Sequence, residues 1–339
     1  MKAIRIPGVR QMDVISLPMP EPAPGELMLK NHFVGFCGSD LNTFRGLNAM
    51  AKPEVIPGHE IGAEVCAIGE GCPDGFCIGQ TVTVNPYTAC GVCLSCRNGR
   101  PNACQHNETL GVQRDGAMRE YISLPWQKVI PVGSISAREA AIIEPMSVGF
   151  HAVSRGDVSD TDTVVVIGCG MVGLGAVMRA SHRGASVVAV DLGKDKRDLA
   201  IKAGACRYID SREEDVRAIV GQLTNQYGAD VVIEAVGSPA TYVTAVDIVG
   251  FTGRVVCIGY SKNDVSFQTR LFVQKELDIR GSRNAMPEDF RAVIRLLQTG
   301  NIPVDSLISG IVKPEQAFDA MKQWDSEPGR VFRLLVSFE

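Results

Sequence analysis

Four cysteines stand in one fifteen-residue stretch, CGVCLSCRNGRPNAC, at Cys90, Cys93, Cys96 and Cys104. Four thiolates so close in sequence can close on one tetrahedral Zn²⁺, at Zn–S distances of about 2.3 Å. Such a site has no open position, so its role is to brace a loop that lacks a core of its own. A thioredoxin-like redox pair would need one isolated CxxC at a helix start, which this is not. A second set is more dispersed. GFCGSD supplies Cys37, Ser39 and Asp40, PGHE supplies His59 and Glu60, and IIEPMSVG supplies Glu144. One thiolate, one imidazole and one carboxylate make a mixed ligand set with room for water or substrate at a fourth position. Read one at a time, Cys37 is equally a core residue, His59 a hydrogen-bonding group and Glu144 a turn cap.

A third stretch, VVVIGCGMVGLGA, sets Gly168, Gly170 and Gly173 at the junction of a strand and a helix. That context gives a GxGxxG its meaning. The first glycine permits the tight turn, the second lets backbone approach a pyrophosphate, and the third lets helix and strand pack closely. The free N–H groups of the helix start favour phosphate. Asp191 ends the next apolar run, VVAVD, where a carboxylate would accept from ribose hydroxyls or else cap the following helix. A carboxylate repels a 2′-phosphate, which favours NAD over NADP, although Lys194 and Arg197 are cations able to accept one. The expected cofactor-binding set is Gly168, Gly170, Met171, Val172, Gly173, Asp191, Arg197, Val236 and Gly259.

These residues need two kinds of scaffold. Up to residue 150 the chain reads as strands and loops, such as KAIRI, ELMLKNHFVGF and QTVTV, broken by Pro and Gly clusters. From residue 160 the texture changes to short β-branched runs, DTVVVIG, ASVVAVD, ADVVIEAVG and GRVVCIGY. The first three are each followed by a helical stretch, the pattern of a parallel sheet covered on both faces. Two helices with Pro near their starts, PEDFRAVIRLLQTG and PEQAFDAMKQW, and a closing strand, RVFRLLVSF, end the chain. With 339 residues, two domains fit. The net charge of −4, without a basic stripe, argues against nucleic acid. No run of about 18 apolar residues argues for a membrane, and the start lacks the apolar core of a signal peptide. A cytoplasmic protein is expected. Its eleven cysteines are then reduced thiols rather than a disulfide framework.

The order of GxCGSD, PGHE, CxxCxxC with a fourth Cys, EP with SVG, and strand–GxGxxG–helix resembles the zinc-dependent medium-chain dehydrogenases, in their sorbitol and L-threonine dehydrogenase-like branch. The resemblance runs the length of the chain. It implies an α/β protein: a mostly β, GroES-like catalytic domain over residues 1–150, completed by 285–339, and a doubly wound Rossmann domain for NAD over 151–284. It also implies an active site in a cleft, a homodimer or homotetramer, and a catalytic as well as a structural Zn²⁺. Carried over by position, Cys37, His59 and Glu144 are the catalytic zinc ligands and Glu60 an exchanging or outer ligand. Asp40 orients His59, and Ser39 relays the substrate proton. Asn42 stands where several relatives have a histidine that ends such a relay. GSRNA resembles dehydrogenases of sugar acids at C5, such as L-gulonate or L-galactonate. It brings Arg283 and Asn284 forward as substrate contacts, Arg283 suiting a carboxylate, with Arg45 or Arg114 in support; Arg283 equally suits the cofactor or an interdomain acid. Polyols and L-threonine are the alternative substrates. The non-enzyme alternative is a zinc-ribbon nucleic-acid-binding or regulatory protein on a dead dehydrogenase fold, against which the acidic balance and the complete ligand set stand.

Overall fold

The structure is a computed structural model and describes residues 1–327, 329 and 331–339. The chain forms two compact units, residues 1–145 with 286–339, and residues 146–285.

The first unit is built on a seven-stranded sheet. Its path runs Gly310–Val312, Leu334–Ser337, Glu26–Phe36, Glu60–Ile68, Thr81–Val84 and Val129–Pro131, with Tyr121–Pro125 pairing off the path to Glu26–Phe36. Along Glu26–Phe36 the side chains alternate, so Leu27 and Leu29 are buried between half-buried neighbours. They join Ile4, Phe36, Phe44, Ile61 and Met118 in one core, to which the chain's end adds Met321, Trp324, Leu334 and Val336. Fully burying each such side chain stabilises by roughly 1.5–3 kcal/mol. That makes the last segment part of this unit's core.

Register matters more than content here. The antiparallel pairing Gly35↔Glu60 runs off the strand ends at Cys37 on one side and His59 on the other. A thiol and an imidazole 22 positions apart in sequence therefore leave adjacent strands side by side. On the other flank, Leu334 pairs with Phe36, which brings Arg333 to the same corner. Gly35 is required: a Cβ there would lie 2.2 Å from Glu60 Oε2. Cys37 then caps the helix Gly38–Phe44.

The second unit is a six-stranded sheet, ordered Arg207–Asp210, Ser186–Asp191, Thr163–Ile167, Ala229–Glu234, Val249–Cys257 and Asp278–Gly281. Every pairing in it is parallel. In sequence order this is 3-2-1-4-5-6, the dinucleotide-binding topology. Val165, Val188, Val190, Val232 and Val255 form its core, and helices such as Met171–His182 and Pro239–Ile248 pack against it. Two strands, Arg207–Asp210 and Asp278–Gly281, lie beyond the four apolar runs read from the sequence. RYID and DIRG are short edge strands carrying charge and lack a β-branched run, although Tyr208, Ile209 and Asp210 of the first are buried and only DIRG is largely exposed.

Candidate active site

Three donors converge in the first unit. The thiol of Cys37, a ring nitrogen of His59 and a carboxylate oxygen of Glu60 all lie within 4.8 Å of one another. Their surroundings are dry: His59 and Glu60 are 5% and 0% exposed, and Asp40 and Glu144 are also buried. Burial pushes Glu60 up to about 7 against the pull of Arg333 and His59. Burial lowers His59, but the Cys37 hydrogen bond and the charges of Cys37, Asp40 and Glu144 outweigh it, so its proton is held well above the usual imidazole range. Asp40 and Glu144 are likewise raised by burial. So many buried groups of one sign beside one another, with His59 Nδ1 and Glu60 Oε2 lacking hydrogen-bond partners, are what a divalent cation would relieve.

Glu144 falls outside that trio. Its Oε1 accepts a hydrogen bond from the hydroxyl of Tyr87. Tyr87 is itself buried, edge-on to Phe290 at 6.4 Å between centroids. Glu60 is anchored from behind: Arg333 Nη1 donates to Glu60 Oε1 at 2.6 Å and to the Phe36 carbonyl at 2.7 Å. Asp40 does not hydrogen-bond His59. Its Oδ2 accepts from the Cys37 N–H at 2.7 Å, closing the start of the helix, while its Oδ1 has no partner. The Ser39 hydroxyl is buried and also lacks a partner. Arg45 is committed to Asp325, Nε to Oδ1 at 2.5 Å, which removes it as a free cation for a substrate.

The four-cysteine loop forms the second cluster, with its sulfurs within the same limit. Sγ–Sγ distances of 3.4 Å for Cys93–Cys96, 3.5 Å for Cys104–Cys90 and 3.7 Å for Cys93–Cys104 are far beyond a disulfide. They approach the roughly 3.8 Å edge of a tetrahedron with 2.3 Å metal–sulfur bonds. The Ser95 hydroxyl and the Cys96 N–H lower Cys93 to about 5. Burial and the Cys93 contact push Cys96 up to about 12. The cluster thus favours thiolate at Cys93 and keeps a proton on Cys96 for a metal to displace.

In the second unit the glycine roles separate. Gly168 has φ +99, and a Cβ there would meet Val236 Cγ2 at 2.7 Å. A Cβ on Gly173 would lie 1.7 Å from the Gly168 carbonyl oxygen, whereas one on Gly170 would meet nothing within 4 Å. Gly170 caps the helix that Met171 and Val172 open. Asp191 Oδ2 accepts from the Cys169 N–H at 2.6 Å and pairs with Lys196 at 3.1 Å. Arg197 is exposed, so Lys196 is the cation at that carboxylate. Val236 and Gly259 follow the fourth and fifth strands, on the same carboxyl edge of the sheet as Gly168. Arg283 and Asn284 belong to this unit, and Asn284 holds a left-handed φ of +54.

Residues 23–134 match the alcohol dehydrogenase GroES-like domain and residues 171–299 the zinc-binding dehydrogenase family. The chain belongs to the zinc-type medium-chain dehydrogenases. It is 35% identical over 294 residues to L-galactonate-5-dehydrogenase of Escherichia coli K12, covering 86% of this chain and 85% of that one. It is 32% identical to sorbitol dehydrogenase of Halalkalibacterium halodurans, covering 91% and 92%. An alcohol dehydrogenase of Escherichia coli CFT073, solved with NADH, superposes with a TM-score of 0.91 at 28% identity, covering 100% and 99%.

This dehydrogenase is therefore a zinc-dependent oxidoreductase of alcohols or polyols that uses a nicotinamide cofactor. Both donor clusters fit zinc: soft thiolates throughout in one, a mixed set with an unfilled position in the other. Zinc bound at the mixed set supplies a Lewis acid to a substrate oxygen. Three residues described above carry no sequence signal. Tyr87 lies in a two-residue strand, Lys196 in a charged run, and Arg333 nearly 300 residues from Cys37. No described helix is long and apolar enough to cross a membrane.

Proposed function

We propose that the dehydrogenase oxidises the C5 alcohol of a six-carbon sugar acid, such as L-gulonate or L-galactonate, to the keto acid. The carbinol carbon gives a hydride to NAD⁺ and its hydroxyl gives up a proton, yielding ketone, NADH and H⁺. The observation that carries the reading is the convergence of Cys37, His59 and Glu60, in a chain 35% identical to an L-galactonate-5-dehydrogenase. These three hold the metal, with Glu144 beside it on Tyr87. Ser39 Oγ, buried and unpartnered two residues from Cys37, receives the substrate proton. Asn42 cannot carry it further, so the relay ends in water, on a substrate hydroxyl or at another group. Arg283 and Asn284 contact the substrate. Gly168, Gly170, Met171, Val172, Gly173, Val236 and Gly259 hold the dinucleotide, and Asp191 takes the adenosine ribose hydroxyls, which favours NAD. A cytoplasmic homodimer or homotetramer belongs to the same reading and is checked by light scattering.

A second reading, oxidation of a neutral polyol, draws on the similarity to a sorbitol dehydrogenase. NADH absorbance over hexonates, hexitols and L-threonine, with zinc-loaded protein, separates the two. Turnover of hexonates well above the rest supports the first reading; hexitols or L-threonine on top overturn it.

A further inference from the structure

Three cations in the first unit stand close together without an acid to answer them. Arg114 Nη1 donates to the Thr88 hydroxyl at 3.1 Å. Lys128 Nζ donates to the Tyr87 carbonyl. Both heads thus meet the two-residue strand Tyr87–Thr88. Arg119 lies near enough for Arg114 to repel it, and its Nε is buried without a partner. Burial lowers Lys128, and the charge of Arg114 lowers it further. Among the described residues no ion pair joins Arg114, Arg119 or Lys128 to a carboxylate. The nearest acid to act on Arg119, Asp115, is already occupied: its Oδ2 pairs with Lys52 at 2.9 Å and its Oδ1 accepts from the Ile56 N–H at 2.9 Å. Half-buried like charges facing one another are unfavourable unless something of the opposite sign comes between them.

We propose that Arg114 and Lys128 form an anion-recognition site that holds the carboxylate of the substrate while its secondary alcohol lies at the Cys37–His59–Glu60 donors. The inference rests on the sugar-acid reading above. Tyr87 sets the spacing. Its hydroxyl touches Glu144 beside the donor trio and its carbonyl touches Lys128, so a single residue spans the two places. In a hexonate the C5 hydroxyl oxygen and a carboxylate oxygen lie roughly 6–7 Å apart when extended, comparable with the roughly 6.5 Å from a tyrosine's Cα to its hydroxyl oxygen. An arginine fork reads the planar carboxylate, and a lysine adds a point charge. A neutral hexitol offers this pair nothing that water does not.

The test uses zinc-loaded protein, as wild type, Arg114→Gln, Lys128→Gln, the double variant and Arg283→Gln, each checked for an unchanged circular dichroism spectrum. The first arm is calorimetric titration with inorganic sulfate, which needs no turnover. Wild type should bind it and the double variant should bind at least tenfold more weakly; equal binding overturns the site. The second arm is the ratio of kcat/KM for a hexonate to that for the matching hexitol. It should fall at least tenfold in Arg114→Gln and in Lys128→Gln, with Arg114→Lys recovering part of the loss. A ratio that falls only in Arg283→Gln overturns the placement of the carboxylate. Wild type that turns over hexitols and no hexonate sinks the sugar-acid reading instead, while the sulfate arm still decides whether the cation pair is a site.

Discussion

Replacing Tyr87 with Phe removes one oxygen and little else. The ring keeps its edge-on contact with Phe290 and its place in the core, so packing should hardly change. What disappears is the donor to Glu144 Oε1. Glu144 is buried, and its carboxylate would be left a partner short in a dry site. A hydrogen bond to a charged group contributes about 1.5–3 kcal/mol. If the hydroxyl serves to hold Glu144 in its working position, that loss appears in the barrier as a fall in kcat of about 10- to 150-fold. Steady-state NADH production gives kcat and KM, and competition with a chelator reports on metal retention. The pair should also be coupled. Glu144→Ala lowers kcat on its own, and adding Tyr87→Phe to it should cost little more, because no acceptor is left for the hydroxyl. If Tyr87→Phe keeps kcat within twofold of wild type, the hydroxyl is only satisfying a buried acid. If the two substitutions multiply rather than overlap, the contact does not work as a unit.

The nucleotide loop separates folding from binding. Gly170→Ala adds a methyl where nothing lies within 4 Å, so thermal stability should hold while NADH affinity falls; Gly173→Ala collides with the Gly168 carbonyl and should lose both. Equal behaviour of the two in melting and NADH titration contradicts these roles. For the thiol loop, Cys93→Ser should drop bound zinc from two to one per subunit and lower the melting temperature before it affects kcat, as read by elemental analysis and calorimetry. A metal count still at two disposes of the brace. Stability of metal-free protein should depend on pH in a stated direction. Burial raises Glu60 from 4.5 to about 7, and His59 also sits above its usual value. A group whose folded pKa is raised favours the folded state at low pH and loses that preference as pH climbs through the folded value. The melting gap between zinc-loaded and chelator-stripped protein should therefore widen from about pH 5 to about pH 7.5. A constant or narrowing gap goes against a buried, metal-relieved cluster.

What could be read from the sequence follows the reach of each signal. The central strands of the nucleotide unit are buried on both faces, so apolar runs such as TVVVI announce themselves, and Gly168, Gly170 and Gly173 are dictated by turn and packing within a few residues. The edge strand RYID carries no such run, because charged residues at both ends interrupt its buried Tyr208 and Ile209. The thiol loop is local for the same reason: its four ligands span fifteen residues. The mixed donor set is the opposite case. Cys37 and His59 meet through the register Gly35↔Glu60, a property of strand pairing that no spacing in the chain encodes. Tyr87 and Arg333 are further removed, since each matters only for the side chain it reaches. A carboxylate such as Glu144 can be named as part of the site from its residue type. Whether it faces the donor trio or turns its oxygen toward Tyr87 depends on a hydroxyl delivered by another strand. Residue type selects the candidates for a site, and pairing register decides which of them share it. Of the four residues that the motifs name for the metal, Cys37, His59, Glu60 and Glu144, the register sets the first three within 4.8 Å of one another.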